Sequence, residues 1–184
     1  MAEESKFVDT VYTLAQKFLK PPLEIRRGSA LLYQVTVDNN LALTVDPKRP
    51  MRGDSAFQTD LCIFERKTAD IVIPRVVMEF KVKVSTHDVI TYSVKARRHK
   101  QVYPYLRYGL VVSNESSVPG RFFVHNESLD FFFAMKGFND AAVSASLSTI
   151  LQAEAETSRR LEKIAFGNLR PRMFRTSIEA LEEW

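Results

Sequence analysis

Apolar residues recur at helical spacing near the start of the chain, where Phe7, Val11, Leu14, Phe18 and Leu19 predict a helix over residues 6–20 that Pro21-Pro22 stops. Residues 30–37 read as extended, Asp38-Asn39-Asn40 as a turn, 41–45 as a second extended segment and 47–55 as a loop. Two apolar runs follow, Leu61-Cys62-Ile63-Phe64 and Val76-Val77-Met78, on either side of a polar turn at 67–70. They predict an antiparallel hairpin, and the unbroken apolar run in its second arm predicts a strand covered on both faces. Ser85 or Thr86 caps a helix running to about Val102, with Asp88 favourably placed in its first turn. Residues 106–113 read as a returning strand, 121–125 and 130–135 as two more, and 140–166 as one long helix ended by Gly167. The pattern is that of an α/β fold, a mixed central β-sheet flanked by helices, in one domain over residues 1–167. Residues 168–184 form a tail, basic first and acidic last, whose Met173, Phe174, Ile178, Leu181 and Trp184 are available to dock on the domain or on a second copy in a homodimer.

The second arm of the hairpin ends in chemistry. Pairing residues whose numbers sum to 139 sets Asp60 opposite Glu79, with Cβ atoms roughly 4.5–5.5 Å apart. Period two puts Glu79 and Lys81 on one face and Met78, Phe80, Val82 and Val84 on the other. Two carboxylates so close, half buried, call for a compensating cation. Oxygen donors alone favour Mg²⁺ or Mn²⁺ over zinc. Such an ion positions and activates water and stabilises charge on a phosphate, and an adjacent lysine adds preorganised positive charge. The competing reading, alternating charges on a solvated edge strand, fits poorly with a central apolar strand that ends abruptly in Glu and Lys.

Composition narrows the classes. The chain has 184 residues, 45% hydrophobic and 26% charged, as expected of a globular domain. Its densest apolar run, residues 131–135, is far shorter than the roughly 20 residues of a membrane span, and the start, Met-Ala-Glu-Glu, has no leader pattern. A single cysteine, Cys62, forms no internal disulfide and suits a reducing, cytoplasmic setting. There is no G-x-G-x-x-G, Walker A or G-x-S-x-G pattern, and one cysteine with His87, His99 and His125 makes no usual structural zinc site. Within the net charge of +4, basic residues cluster at Lys48, Arg49 and Arg52, at Lys95, Arg97, Arg98, Lys100 and Arg107, and at Arg170, Arg172 and Arg175. Arg97, Lys100 and Gln101 share a helix face, and His99 lies within the same basic helix. Basic clusters beside a metal site point to a polyanion, since phosphate contacts supply most nonspecific nucleic-acid affinity.

Asp60, then Glu79-Phe80-Lys81, then a helix bearing Gln101, together resemble the PD-(D/E)XK nuclease superfamily, which includes many restriction endonucleases and several repair nucleases. The resemblance covers about residues 50–113, and its weight rests on the strand-turn-strand-helix-strand context. Thr59 stands where the superfamily's name has proline. Gln101 and Tyr105 match the spacing of the Q-x-x-x-Y extension of some branches, although Pro104 interrupts it. The resemblance implies a restriction-endonuclease-like sandwich and an Mg²⁺-dependent (or Mn²⁺-dependent) endonuclease acting on nucleic acid, most readily DNA of a restriction or mobile-element system. Asp60, Glu79 and the Phe80 backbone carbonyl would hold the metal, Lys81 would be the catalytic lysine, and Gln101 would contact water or phosphate. Many members add an acid from the N-terminal helix; the candidates are Glu24 and Asp9. Asp54 rivals Asp60 as the upstream ligand, but its Gly and Ser neighbours read as a loop. Lys83, Lys95, Arg97, Arg98 and Lys100 are expected to contact nucleic acid. The alternative is a nuclease-like fold that only binds nucleic acid or protein.

Overall fold

The computed structural model of the protein describes residues 2–53 and 55–179. Helix α1 (Ala2–Phe18) is followed by β1 (Leu23–Arg27), β2 (Ala30–Leu32), β3 (Ala56–Gln58), β4 (Leu61–Arg66) and β5 (Val72–Lys81). Then come α2 (Thr86–Val102), β6 (Arg107–Val112), α3 (Gly120–His125), β7 (Phe131–Ala134) and α4 (Asp140–Phe166). Five strands form one sheet in the order β1-β4-β5-β6-β7, while β2 and β3 pair as a separate ribbon. The β1-β4 and β4-β5 pairs are antiparallel; β5-β6 and β6-β7 are parallel, so the sheet is mixed.

Strand β5 lies at the centre because it is apolar on both faces, and each face meets helices. On one side Val76, Met78 and Phe80 pack with Val11, Leu14 and Ala15 of α1 and Leu147, Leu151 and Ala155 of α4. On the other, Val77 packs with Cys62, Tyr108 and Leu110 of the sheet, Val89 and Ala96 of α2 and Phe122 of α3. Ser85 caps α2 as expected: its hydroxyl accepts the Asp88 N–H while Asp88 accepts the Ser85 N–H, a reciprocal capping box.

Four local expectations change. Residues 121–125 form α3 rather than a strand; Phe122 is buried while Phe123 and Val124 are exposed, and so short an apolar run carries no decisive period. β1 went unread because only Ile25 of Leu-Glu-Ile-Arg-Arg is fully buried. The two extended segments of 30–45 shrink to β2 and a single bridge between Val37 and Leu43, because β2 pairs with the distant β3 instead. Val84 joins Val77 and Val89 rather than Met78 and Phe80, since β5 has ended at Lys81 and the chain has turned toward α2. In the tail, 168–179 has neither helix nor strand, and Met173, Phe174 and Ile178 are exposed; Leu181 and Trp184 lie outside the described residues.

Two ionic junctions fasten α4 to the sheet. Arg75, fully buried in β5, donates from Nε to Glu65 at 2.6 Å and from Nη2 to Glu162 of α4, with its guanidinium 5.4 Å from the Tyr105 ring. Asp130 accepts the Tyr108 N–H at 2.7 Å and pairs with Lys100 at 2.6 Å and Arg107 at 2.7 Å, while Arg107 also reaches Glu154 of α4. Removing one member of a buried pair strands the other charge. Arg75→Ala is therefore expected to cost about 3–5 kcal/mol, read as a lower urea midpoint; a loss below about 1 kcal/mol would show that Glu65 and Glu162 find water instead.

Candidate active site

The site forms where β4 begins and β5 ends. Leu61↔Met78, Cys62↔Val77 and Ile63↔Val76 all sum to 139, the register that sets Asp60 against Glu79. Nearer the turn a bulge between Ile63 and Phe64 shifts the sum to 138, and the connection takes in Ile71, one residue more than expected. Asp60 stands just outside β4, where its Oδ2 accepts the Phe80 N–H at 2.9 Å, so a side chain fills the place of the next ladder carbonyl. A residue's N–H and C=O point to the same side of a strand. The Phe80 carbonyl therefore faces the same gap as Asp60. Thr59 explains its own presence in place of proline: its N–H and its hydroxyl both donate to the Ser29 carbonyl, at 2.9 and 3.0 Å, and proline has neither donor. Gly28, at φ 58°, makes the turn that returns this backbone and donates its N–H to the Asp60 carbonyl at 3.0 Å.

Glu79 is 1% exposed. Its Oε1 accepts from Lys95 Nζ at 2.6 Å and from the Tyr108 hydroxyl, and Lys95 also donates to the Gln58 carbonyl at 2.6 Å. Burial raises the Glu79 pKa to about 7, with the Asp60 charge adding to it and Lys95 opposing. Lys81 Nζ lies 3.4 Å from Glu4 Oε2 of α1 and 5.8 Å from the centre of the Tyr92 ring; Lys95 Nζ lies 5.9 Å from the same ring. Burial first, then the charges of Glu79, Asp60, Glu4 and Asp88, push the Tyr92 phenol far up. Tyr92 thus lies beside both lysines of a group comprising Glu4, Asp60, Glu79, Lys81 and Lys95. A cleft of about 860 Å³ is bordered by Glu4, Asp60 and Lys95 of this group, together with Arg27, Arg52 and Gln58.

Asp60, Glu79, Lys81 and the Phe80 backbone lie at the adjoining ends of β4 and β5; several other candidates lie elsewhere. Lys95 is turned toward Glu79, with which it forms an ion pair at 2.6 Å. Gln101 is exposed on the last turn of α2, six residues beyond Lys95 and so about 240° further round the helix, while Tyr105 lies past the helix end against Arg75. Arg97 is exposed, 3.8 Å from Glu127, and Arg98 is exposed with its guanidinium 6.0 Å from the Tyr33 ring. Lys100 turns inward to Asp130, so it shares no open face with Arg97. Lys83 is exposed beyond the end of β5. Glu24 sits on β1 opposite Phe64, paired with Arg26 and Arg66, four residues or ~13 Å along the ladder from Asp60. Asp9 pairs with Arg27, and Asp54 lies outside the described residues. The acid that α1 brings to the site is Glu4, missed because the helix starts at Ala2, four residues earlier than its apolar period shows. Tyr92 and Lys95, at i and i+3 on α2, share one helix face, but only the packing of α2 on the sheet turns that face toward Glu79.

Among the described residues no three His, Cys, Asp or Glu side chains form a preformed metal-binding group. The donors at the strand ends are two carboxylates and one carbonyl, all oxygen; Mg²⁺ ordinarily takes one or two carboxylates and keeps several waters, so the donor chemistry fits that ion. No family model matches the chain, and no curated protein matches it.

His99, one turn beyond Lys95, is fully buried between the Phe57 and Tyr108 rings at 5.8 and 5.6 Å. The Leu31 backbone lies near the ring but outside hydrogen-bond geometry, and neither ring nitrogen has a partner among the described residues. Burial, then Lys95, lowers its pKa to about 3, so it is neutral and takes no acid–base part near pH 7. The unfolded chain takes this proton near pH 6.5 and the folded chain does not, so the stability His99 contributes is full above that pH and lost as pH falls toward 3. Relative to His99→Leu, the wild type is expected to lose ~1.4 kcal/mol per pH unit between pH 6 and 4 in urea unfolding; parallel pH curves for the two proteins would mean that His99 protonates in the folded state.

Proposed function

We propose that the chain is a metal-dependent nuclease that hydrolyses phosphodiester bonds in nucleic acid, DNA first, on a restriction-endonuclease-like α/β sandwich. The observation that carries the reading is the meeting of Asp60, Glu79 and Lys81 where two paired strands end, with Asp60 on the border of a cleft that Arg27 and Arg52 also line. Asp60, Glu79 and the Phe80 carbonyl would hold Mg²⁺ or Mn²⁺, which when bound supplies a polarised phosphate oxygen and a more acidic water. Lys81 then offers hydrogen bonds to the attacking water or to a nonbridging oxygen, and Glu4 fixes where its ammonium sits. Lys95 and Tyr108 hold the Glu79 carboxylate in one orientation, and Lys95 offsets its charge. Arg27 and Arg52 give the phosphate backbone a positive border on the cleft wall.

The Lys95–Glu79 pair itself favours a second reading. A cation already neutralises the buried carboxylate, as it would in a nuclease-like module that binds nucleic acid without cutting it. Incubating the protein with plasmid, linear duplex, single-stranded DNA and RNA, in Mg²⁺, Mn²⁺ or EDTA, separates the two. The nuclease reading expects cleavage with metal, none in EDTA, and a loss of about 10²–10⁴-fold in Lys81→Ala and Glu79→Gln variants that remain folded at the assay temperature. Cleavage that survives both substitutions, or no cleavage of any substrate, abandons hydrolysis in favour of binding.

A further inference from the structure

The wall of the cleft carries an aromatic surface that the hydrolytic chemistry does not use. Phe57 is the central residue of β3, paired with the buried Leu31 of β2, yet it remains 36% exposed and borders the same cleft as Asp60 and Lys95. Tyr33 stacks on it, with ring centres 4.1 Å apart and planes 20° from parallel, and the buried His99 ring abuts it at 5.8 Å. The Arg98 guanidinium lies 6.0 Å from the Tyr33 ring. Phe57 is therefore held by neighbours on a paired ribbon, so binding something on its open surface costs little additional side-chain ordering. Among the described residues, other exposed apolar side chains such as Leu41 and Val124 do not line this cleft.

Position and charge point to what such a ring would hold. Phe57 and Asp60 are three residues apart along the chain, a backbone span of at most roughly 10 Å, which is no more than about three stacked nucleotides at ~3.4 Å each. Arg27 and Arg52 on the same wall match a phosphate backbone rather than an apolar ligand. Inside a duplex every base is already stacked between its neighbours, so a ring on a protein wall reaches only a base that is unpaired, terminal or flipped. We propose that Phe57, backed by Tyr33, is a stacking platform for an unpaired nucleobase of the strand whose phosphate enters the Asp60–Glu79–Lys81 site. The protein would then prefer strands that are single-stranded beside the scissile bond. This rests on the nucleic-acid reading above and adds the form of substrate to it. Stacking is blind to base identity, so the preference concerns strandedness, not sequence.

The test is equilibrium binding in EDTA, where cleavage plays no part, using fluorescein-labelled oligothymidine, an abasic oligonucleotide of the same length, and a blunt duplex. The wild type is expected to bind the oligothymidine more tightly than the abasic strand. Phe57→Ala should weaken oligothymidine binding by roughly 5- to 150-fold, to the abasic level, while leaving duplex binding unchanged. Phe57→Trp should keep the oligothymidine affinity, which separates stacking from a folding defect, as does an unchanged unfolding temperature. Equal wild-type affinity for oligothymidine and abasic strand, or a folded Phe57→Ala that binds oligothymidine as the wild type does, overturns the platform while leaving the nuclease reading intact. A wild type that binds none of the three overturns both.

Discussion

Glu79 carries a carboxylate into the interior of the protein, and much of the surrounding structure answers that charge. A buried carboxylate without partners is untenable. Here Lys95 comes from α2, the Tyr108 hydroxyl from β6, and the Gln58 carbonyl holds the second face of the Lys95 ammonium. Each partner arrives on a different element, so the position of Glu79 presupposes the β5-α2-β6 crossover and the docking of the β2-β3 ribbon. A chain that merely needed a stable sheet would place an apolar residue at this point; a buried ion pair is seldom the most stable choice. Its presence at a strand end that opens on a cleft, beside Asp60, is what gives the site its functional character.

The rest of the fold reads as support for that strand end. Strand β5 is central and apolar on both faces, and the two ionic junctions around Arg75 and Asp130 tie α4 to its middle and to the neighbouring strands. They lie away from the cleft and contribute to position, not chemistry. At the other border Thr59, Gly28 and Ser29 pin the backbone that presents Asp60, so the two carboxylates are set by hydrogen-bonded strand ends rather than by a loop. A site so supported is preorganised, as the proposed function requires.

Local signals written into consecutive residues were legible. The Ser85–Asp88 box starts α2, the hydrophobic period runs through α4 until Gly167, and the hairpin register near Asp60 follows from parity and the two apolar runs. The reading was weaker wherever partners lie far apart in sequence. β1 contributes one fully buried residue and pairs across some forty positions with β4; β2 pairs with β3 across a long connection; α3 is too short for its period to separate helix from strand. Gln101 failed for a helical reason, since a basic run on a helix winds round all of its faces, and only the sheet decides which one it covers.

The sequence by itself determined the alternating faces of β4 and β5, the two principal helices and the placing of Asp60, Glu79 and Lys81 at one strand end, because these depend on periods of 2.0 and 3.6 and on caps a few residues away. Tertiary structure alone decided that Lys95 answers Glu79, that Glu4 and not Glu24 meets Lys81, that Tyr92 lies beside Lys81 and Lys95, and that Phe57 is exposed on the cleft that Asp60 borders. Those outcomes depend on which elements pack together and at what rotation. Long-range contacts of that kind are chosen by burial and charge compensation across the whole chain, and no local pattern encodes them.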